Sequence, residues 1–80
     1  MYYVYIIQSL SFSDQIYIGC TTDLKKRLSN HNCGTTPHTA KYMPWKLITY
    51  TAFALKDKAY EFEEFLKSGS GRVFLKKRFL

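Results

Sequence analysis

Over its first residues the chain strings apolar and aromatic side chains together, Tyr2-Tyr3-Val4-Tyr5-Ile6-Ile7-Gln8, with no helical spacing between them. Such a run reads as a strand buried on both faces, hence a central one. Turn formers fill Ser9 to Gln15, and Ile16-Tyr17-Ile18-Gly19 resumes the strand pattern, which predicts a hairpin ended by Gly19. A helix is expected from about Asp23 to Asn32, capped by Thr21 or Thr22, with Asp23 near the positive end of its dipole and Gly34 marking its end. Residues 33–45, with Gly34, Pro37 and Pro44, form a loop whose length suggests a role beyond connection. Lys46 to Phe53 reads as a third strand.

Leu55, Ala59, Phe62 and Leu66 then recur at helical spacing, so Lys56 to Lys67 is an amphipathic helix lying on the sheet. Ser68-Gly69-Ser70-Gly71 reads as a helix-breaking linker, and Arg72 to Leu80 as a short basic helix. The expected order is ββαβαα, an α/β (α+β) arrangement in one domain spanning residues 1–80.

Composition narrows the function. Twelve Lys and Arg against six Asp and Glu give a net charge of +6, which favours a polyanionic partner such as nucleic acid or an anionic membrane surface. No apolar run approaches the roughly 18 residues that cross a bilayer, and no strongly amphipathic lysine-rich helix with exposed Trp or Phe favours a membrane surface. Cys20 and Cys33 are too few for a disulfide scaffold and fit free thiols in a reducing cytoplasm. As zinc ligands, Cys20, His31, Cys33 and His38 lack paired knuckle spacing.

On the first helix, a rotation of about 100° per residue puts Leu24, Leu28 and His31 on one face with Arg27 at its shoulder. Two readings stay open. Arg27 lays its stem along the sheet edge beside a satisfied histidine, or the pair at i, i+4 presents itself to an anion. On the later helix Glu61 and Glu63 flank the apolar stripe and Glu64 lies opposite it, so geometry leaves Glu61 and Glu63 as candidates. Glu63 also stands one turn before Lys67, an order worth a few tenths of a kcal/mol as helix support. In the long loop, His38, Lys41, Tyr42 and Trp45 offer base stacking or phosphate contact, though Trp45 reads rather as a core plug beside the third strand.

Tyr3-Val4-Tyr5 in the first strand, Tyr17-Ile18-Gly19 in the second, Thr21-Thr22-Asp23-Leu24-Lys25-Lys26-Arg27-Leu28 with His31, and Glu63-Glu64-Phe65-Leu66-Lys67 together resemble the GIY-YIG nuclease domain over essentially the whole chain. The likeness is to the small stand-alone members of a superfamily that also includes the N-terminal nuclease domain of excinuclease C and the phage homing endonucleases. It implies a three-stranded antiparallel sheet flanked by helices, and hydrolysis of DNA phosphodiesters with one divalent metal, Mg2+ or Mn2+, in settings such as repair or recombination. It also implies roles: Tyr5 and Tyr17 as the motif tyrosines, Arg27 and His31 as the helix pair, and Glu63 as the metal ligand. Tyr3 and Val4 stand where the motif has Gly and Ile, and no Asn follows Glu63, which leaves Lys67 or Arg72 to take that contact.

Each implied role has a physical rationale. A hard cation accepts one carboxylate together with waters and phosphate oxygens. A guanidinium fork matches the charge that builds on phosphate during attack. Tyr17 or Tyr5, if its phenol pKa near 10 is lowered by a neighbouring cation, could relay a proton to His31, with a pKa near 7. The base is left open among the three. Lys26, Lys41, Lys67, Arg72, Lys76 and Lys77 are the expected nucleic-acid contacts. A noncatalytic nucleic-acid-binding module of the same fold is the competing reading, and with no second DNA-binding domain the substrate stays open among a branched or damaged structure, any exposed strand, or DNA delivered by a protein partner.

Overall fold

The computed structural model describes residues 1–80. β1 (Tyr2–Ser9) is the centre of an antiparallel sheet ordered β2-β1-β3, flanked by β2 (Ile16–Thr21) and β3 (Trp45–Phe53). The double-sided apolar run does what its composition requires: Val4, Tyr5, Ile6 and Ile7 are all buried. β2 continues through Gly19 to Thr21, because Gly19 and Cys20 still pair with Tyr5 and Val4. Gly19 is therefore inside the strand, not its terminus.

Side chains of β1 alternate between two interiors. Val4 and Ile6 point toward α3 (Lys56–Lys67) and α4 (Gly69–Arg78), where they meet Ala59, Leu66 and Leu75. Tyr5 and Ile7 point the other way, toward Trp45, with Leu24 and Leu28 of α1 (Leu24–Asn32) packed alongside. In β3, Thr49 faces Ile6 and Leu47 faces Ile7, so Ile48 is the extra residue of a bulge and joins the α3 side. Leu55 departs from the expected stripe: it precedes α3 and is exposed, while Ala59 and Leu66 are buried and Phe62 is partly so.

Three local expectations are corrected. The cap of α1 is Asp23, whose carboxylate accepts from the Lys26 N–H at 3.1 Å. Thr21 instead uses its hydroxyl to accept from the Asp23 N–H, setting the turn that leads into the helix. Within the 33–45 loop a short helix, α2 (Pro37–Ala40), gives the order ββααβαα, with Pro37 at a position where its missing N–H costs nothing. The Ser-Gly-Ser-Gly segment is not a linker: Ser68 caps α4 by accepting from the Gly71 N–H, and Gly69 to Gly71 form its first turn. Gly71 is buried against α3 so closely that a Cβ there would run into the Phe65 carbonyl oxygen and lie 2.6 Å from the Leu66 Cα. That close approach brings the α3–α4 hairpin together and carries the basic end of the chain back along the sheet.

Candidate active site

Tyr5 occupies the middle of the central strand, so its ring is fixed by backbone pairing on both sides. Its hydroxyl lies against Gly19 of β2, where any side chain would overlap the phenol oxygen and ring. Only glycine leaves room for the phenol to extend over β2 toward α1. There the Tyr5 hydroxyl meets His31 Nε2 at 2.9 Å and accepts from Arg27 Nε at 3.3 Å. His31 is fully buried, and its Nδ1 lies 2.8 Å from the Thr39 hydroxyl of α2. Tyr17 on β2 closes the group, with ring centroids 6.3 Å from Tyr5, 5.0 Å from His31 and 6.4 Å from His38.

The electrostatics differ from the sequence expectation. Burial raises the Tyr5 phenol above its ordinary value, and the nearby Arg27 only partly offsets this. The His31 imidazole is held below its ordinary value, first by burial and then by the Arg27 charge. Arg27 is raised, chiefly through its hydrogen bond to Tyr5. At neutral pH the group is thus a neutral phenol, a neutral imidazole and one half-buried cation. Tyr5 is not an acidified phenol, and with 1% exposure it does not meet solvent.

The opening lies along the free edge of β2. An open cleft of about 710 Å3 is lined there by Tyr17 and His38 on one flank and by Lys67, Arg72 and Lys76 on the other, with Asp14 at its rim. Of the six cations expected to touch nucleic acid, these three come together on the cleft, while Lys26, Lys41 and Lys77 do not line it. Lys41 instead sits 5.5 Å from the ring of Tyr42. Trp45 is a core plug, 5% exposed, and its indole N–H donates to the Thr39 carbonyl at 2.9 Å.

Glu63 stands on α3, across the sheet from Arg27, and its charge is close enough to push up both Tyr5 and Cys20. Its side chain is 16% exposed, and its Oε2 accepts from Lys67 Nζ at 3.3 Å. Glu61 pairs with Lys58 in open solvent. No three His, Cys, Asp or Glu side chains converge, so Glu63 would hold an ion with fewer than three such side chains around it. One carboxylate suits a hard divalent ion that keeps its waters and takes further oxygens from phosphate. Glu63 fits such an ion as its protein anchor, sharing one oxygen with Lys67.

Two residues that shape this group, Gly19 and Thr39, lie outside the sequence expectation. Gly19 was readable as a strand interruption, and a glycine within a strand also signals the close approach that Tyr5 makes. Thr39 had no signal, because its partner is eight residues away and its position depends on α2.

An antiparallel sheet carrying two strand tyrosines beside a helical Arg and His, with a lysine- and arginine-lined cleft at its edge, belongs to the nuclease-type domains. The GIY-YIG catalytic domain family matches residues 1–78, and the chain belongs to that family. It is similar to the UPF0213 protein BH0048 of Bacillus halodurans, known from a solution NMR structure. The two are 30% identical, the match covers 96% of this chain and 84% of that one, and the TM-score is 0.56. UPF0213 proteins of Streptococcus pyogenes serotypes M3 and M12 are each 35% identical over 71 residues, covering 88% of this chain and 75% of theirs.

Proposed function

We propose that residues 1–80 form one endonuclease domain that hydrolyses DNA phosphodiester bonds with Mg2+ or Mn2+. The observation that carries this reading is the Arg27 guanidinium, bonded to Tyr5 and next to Tyr17, which itself lines a cleft that also holds Lys67, Arg72 and Lys76. A phosphate drawn into the cleft by those cations meets Tyr17 and His38 on the opposite wall. Arg27, anchored from behind by Tyr5, directs its remaining N–H donors at the charge that grows on the nonbridging oxygens as water attacks. Tyr17, the motif phenol that reaches the cleft, orients the attacking water and receives its hydrogen bond. Tyr5 and His31 are positioning residues for Arg27, since their burial keeps them from substrate. Glu63 is the residue that would hold the divalent ion, which when bound supplies positive charge to phosphate oxygens. The domain would work in the reducing cytoplasm on DNA exposed during repair or recombination, directed there by a protein partner.

The test is cleavage of linear, nicked, flapped and single-stranded DNA in Mg2+, Mn2+ or EDTA by wild type, Glu63→Ala and Glu61→Ala. Metal-dependent products from wild type and Glu61→Ala, with none from Glu63→Ala and DNA binding retained, support the reading. Binding without cleavage on every substrate and metal would instead establish a noncatalytic module. Loss of cleavage in Glu61→Ala but not Glu63→Ala would reassign the carboxylate.

A further inference from the structure

The long loop between α1 and β3 does more than connect them. α2 is only four residues, yet it holds Thr39 at 1% exposure, and its placement is locked twice over. Trp45 donates to the Thr39 carbonyl, and the Asn32 side chain at the end of α1 brackets the Trp45 backbone, donating to its carbonyl at 3.0 Å and accepting from its N–H. All of this fixes one hydroxyl against one ring nitrogen. From the geometry we infer that Thr39 selects the tautomer of His31 that carries its proton on Nδ1, and through His31 and Tyr5 holds Arg27 in place.

The Nδ1–H form is the one that satisfies both ends of the chain. At one end the Thr39 hydroxyl donates to the Thr36 carbonyl at 3.4 Å, which leaves its oxygen to accept from His31 Nδ1–H at 2.8 Å. At the other end Arg27 Nε can only donate, so the Tyr5 oxygen accepts there and its own proton is free for His31 Nε2. Threonine, imidazole, phenol and guanidinium then form one chain in which each donor has an acceptor, and no buried polar side-chain atom is left without a partner. In the opposite tautomer His31 Nε2–H and Arg27 Nε–H would both point at the Tyr5 oxygen, and the phenol proton would have no acceptor among the groups hydrogen-bonded to Tyr5. Aqueous imidazole favours the Nε2–H form, so the site must impose the other one. The groups facing His31 are Tyr5 from β1, Tyr17 from β2, Arg27 from its own helix and Thr39 from α2, with His38 beyond Tyr17 and Glu63 acting on Tyr5 from α3. None of the other neighbours is hydrogen-bonded to Nδ1.

For its kinetic consequence this inference rests on the nuclease reading, and for its spectroscopic consequence it does not. The experiment is nitrogen-15 NMR of the histidine rings in the full chain at pH 7.5, for wild type, Thr39→Val and Thr39→Ser, alongside single-turnover DNA cleavage and its pH profile. Wild type and Thr39→Ser are expected to show His31 protonated at Nδ1 and bare at Nε2, whereas Thr39→Val moves the ring toward the Nε2–H form. Cleavage by Thr39→Val should fall about 10- to 100-fold, by analogy with the loss of a hydrogen-bond partner that orients a metal-ligating histidine. DNA affinity should hold, and Thr39→Ser should recover the rate. His31 protonated at Nε2 in wild type, or at Nδ1 in a folded Thr39→Val protein, would overturn the inference. If Thr39→Val does not fold, the wild-type and Thr39→Ser spectra decide it alone. Absence of cleavage by wild type would sink the nuclease reading while leaving the tautomer assignment to be judged by the spectra.

Discussion

On the α3–α4 side of the sheet, the buried core of Val4, Ile6, Ala59, Leu66 and Leu75 contains no polar side chain. On the α1 side, Tyr5, Ile7 and Trp45 share their interior with His31 and Thr39, which are as deeply buried. One strand supplies both, residue by residue in alternation. The first interior is held by contacts without direction, so it tolerates changes that conserve volume and resists intrusion. The second is held by directed hydrogen bonds, so it is sensitive to the loss of a single atom even when volume is kept.

The sharpest break in the apolar side is Gly71→Ala. The added methyl meets the Phe65 carbonyl and the Leu66 backbone, neither of which can rotate away. Overpacking of this kind costs about 3 kcal/mol or more, and for a domain this small the Tm should drop by roughly 12 °C or more. Gly69→Ala is the control, because nothing lies within 4 Å of the added Cβ. Its Tm should change by only a few degrees, and thermal melts of the pair measure the contrast.

On the polar side, Tyr5→Phe keeps the ring and removes one oxygen. Arg27 Nε and His31 Nε2 then both lose a partner, one of them fully buried, at a cost of about 1 to 3 kcal/mol. Cleavage should fall much further than that stability loss explains, because Arg27 is released. Ile7→Val, which trims the neighbouring apolar side chain in the same interior, should cost about 0.5 to 1.5 kcal/mol and leave cleavage unchanged. Equal effects of the two substitutions on cleavage would erase the distinction between directed and undirected contacts within this interior.

Helix, strand and hairpin positions were legible because they depend on local pattern: β1, β3 and α3 fall within a residue of expectation. The burial of Arg27 and His31 toward the sheet was legible for the same reason, since helical spacing sets which face they share. Tyr5 and Tyr17 were legible as a motif, but their difference was not. Only the packing of Gly19 under the Tyr5 phenol and the edge position of β2 decide that Tyr5 is enclosed while Tyr17 borders the cleft. Thr39 and the first turn of α4 escaped because both depend on how successive helices pack against one another rather than on local pattern. Ser-Gly-Ser-Gly has the composition of a flexible linker, and it becomes a helix start only when Gly71 is pressed against α3.

A smaller effect follows from His31. Its pKa is lowered in the folded protein, whereas the unfolded chain takes up a proton near pH 6.5. Between that pH and the lower folded value, the unfolded state binds more protons, so stability falls as pH falls. The Tm should be lower at pH 5.5 than at pH 7.5, and a variant confined to the apolar side, such as Ile6→Val, should show the same pH dependence as wild type. A Tm that is flat or rises on acidification would mean that His31 is not held neutral.

In the proposed function the polar interior presents Arg27 to a phosphate. Single-turnover cleavage by Arg27→Lys, measured beside DNA affinity and Tm, tests it most directly. Lysine keeps the charge and loses the planar fork, so the rate should fall on the order of 10² to 10³ while affinity and Tm stay close to wild type. An Arg27→Lys protein that cuts at the wild-type rate would contradict the account.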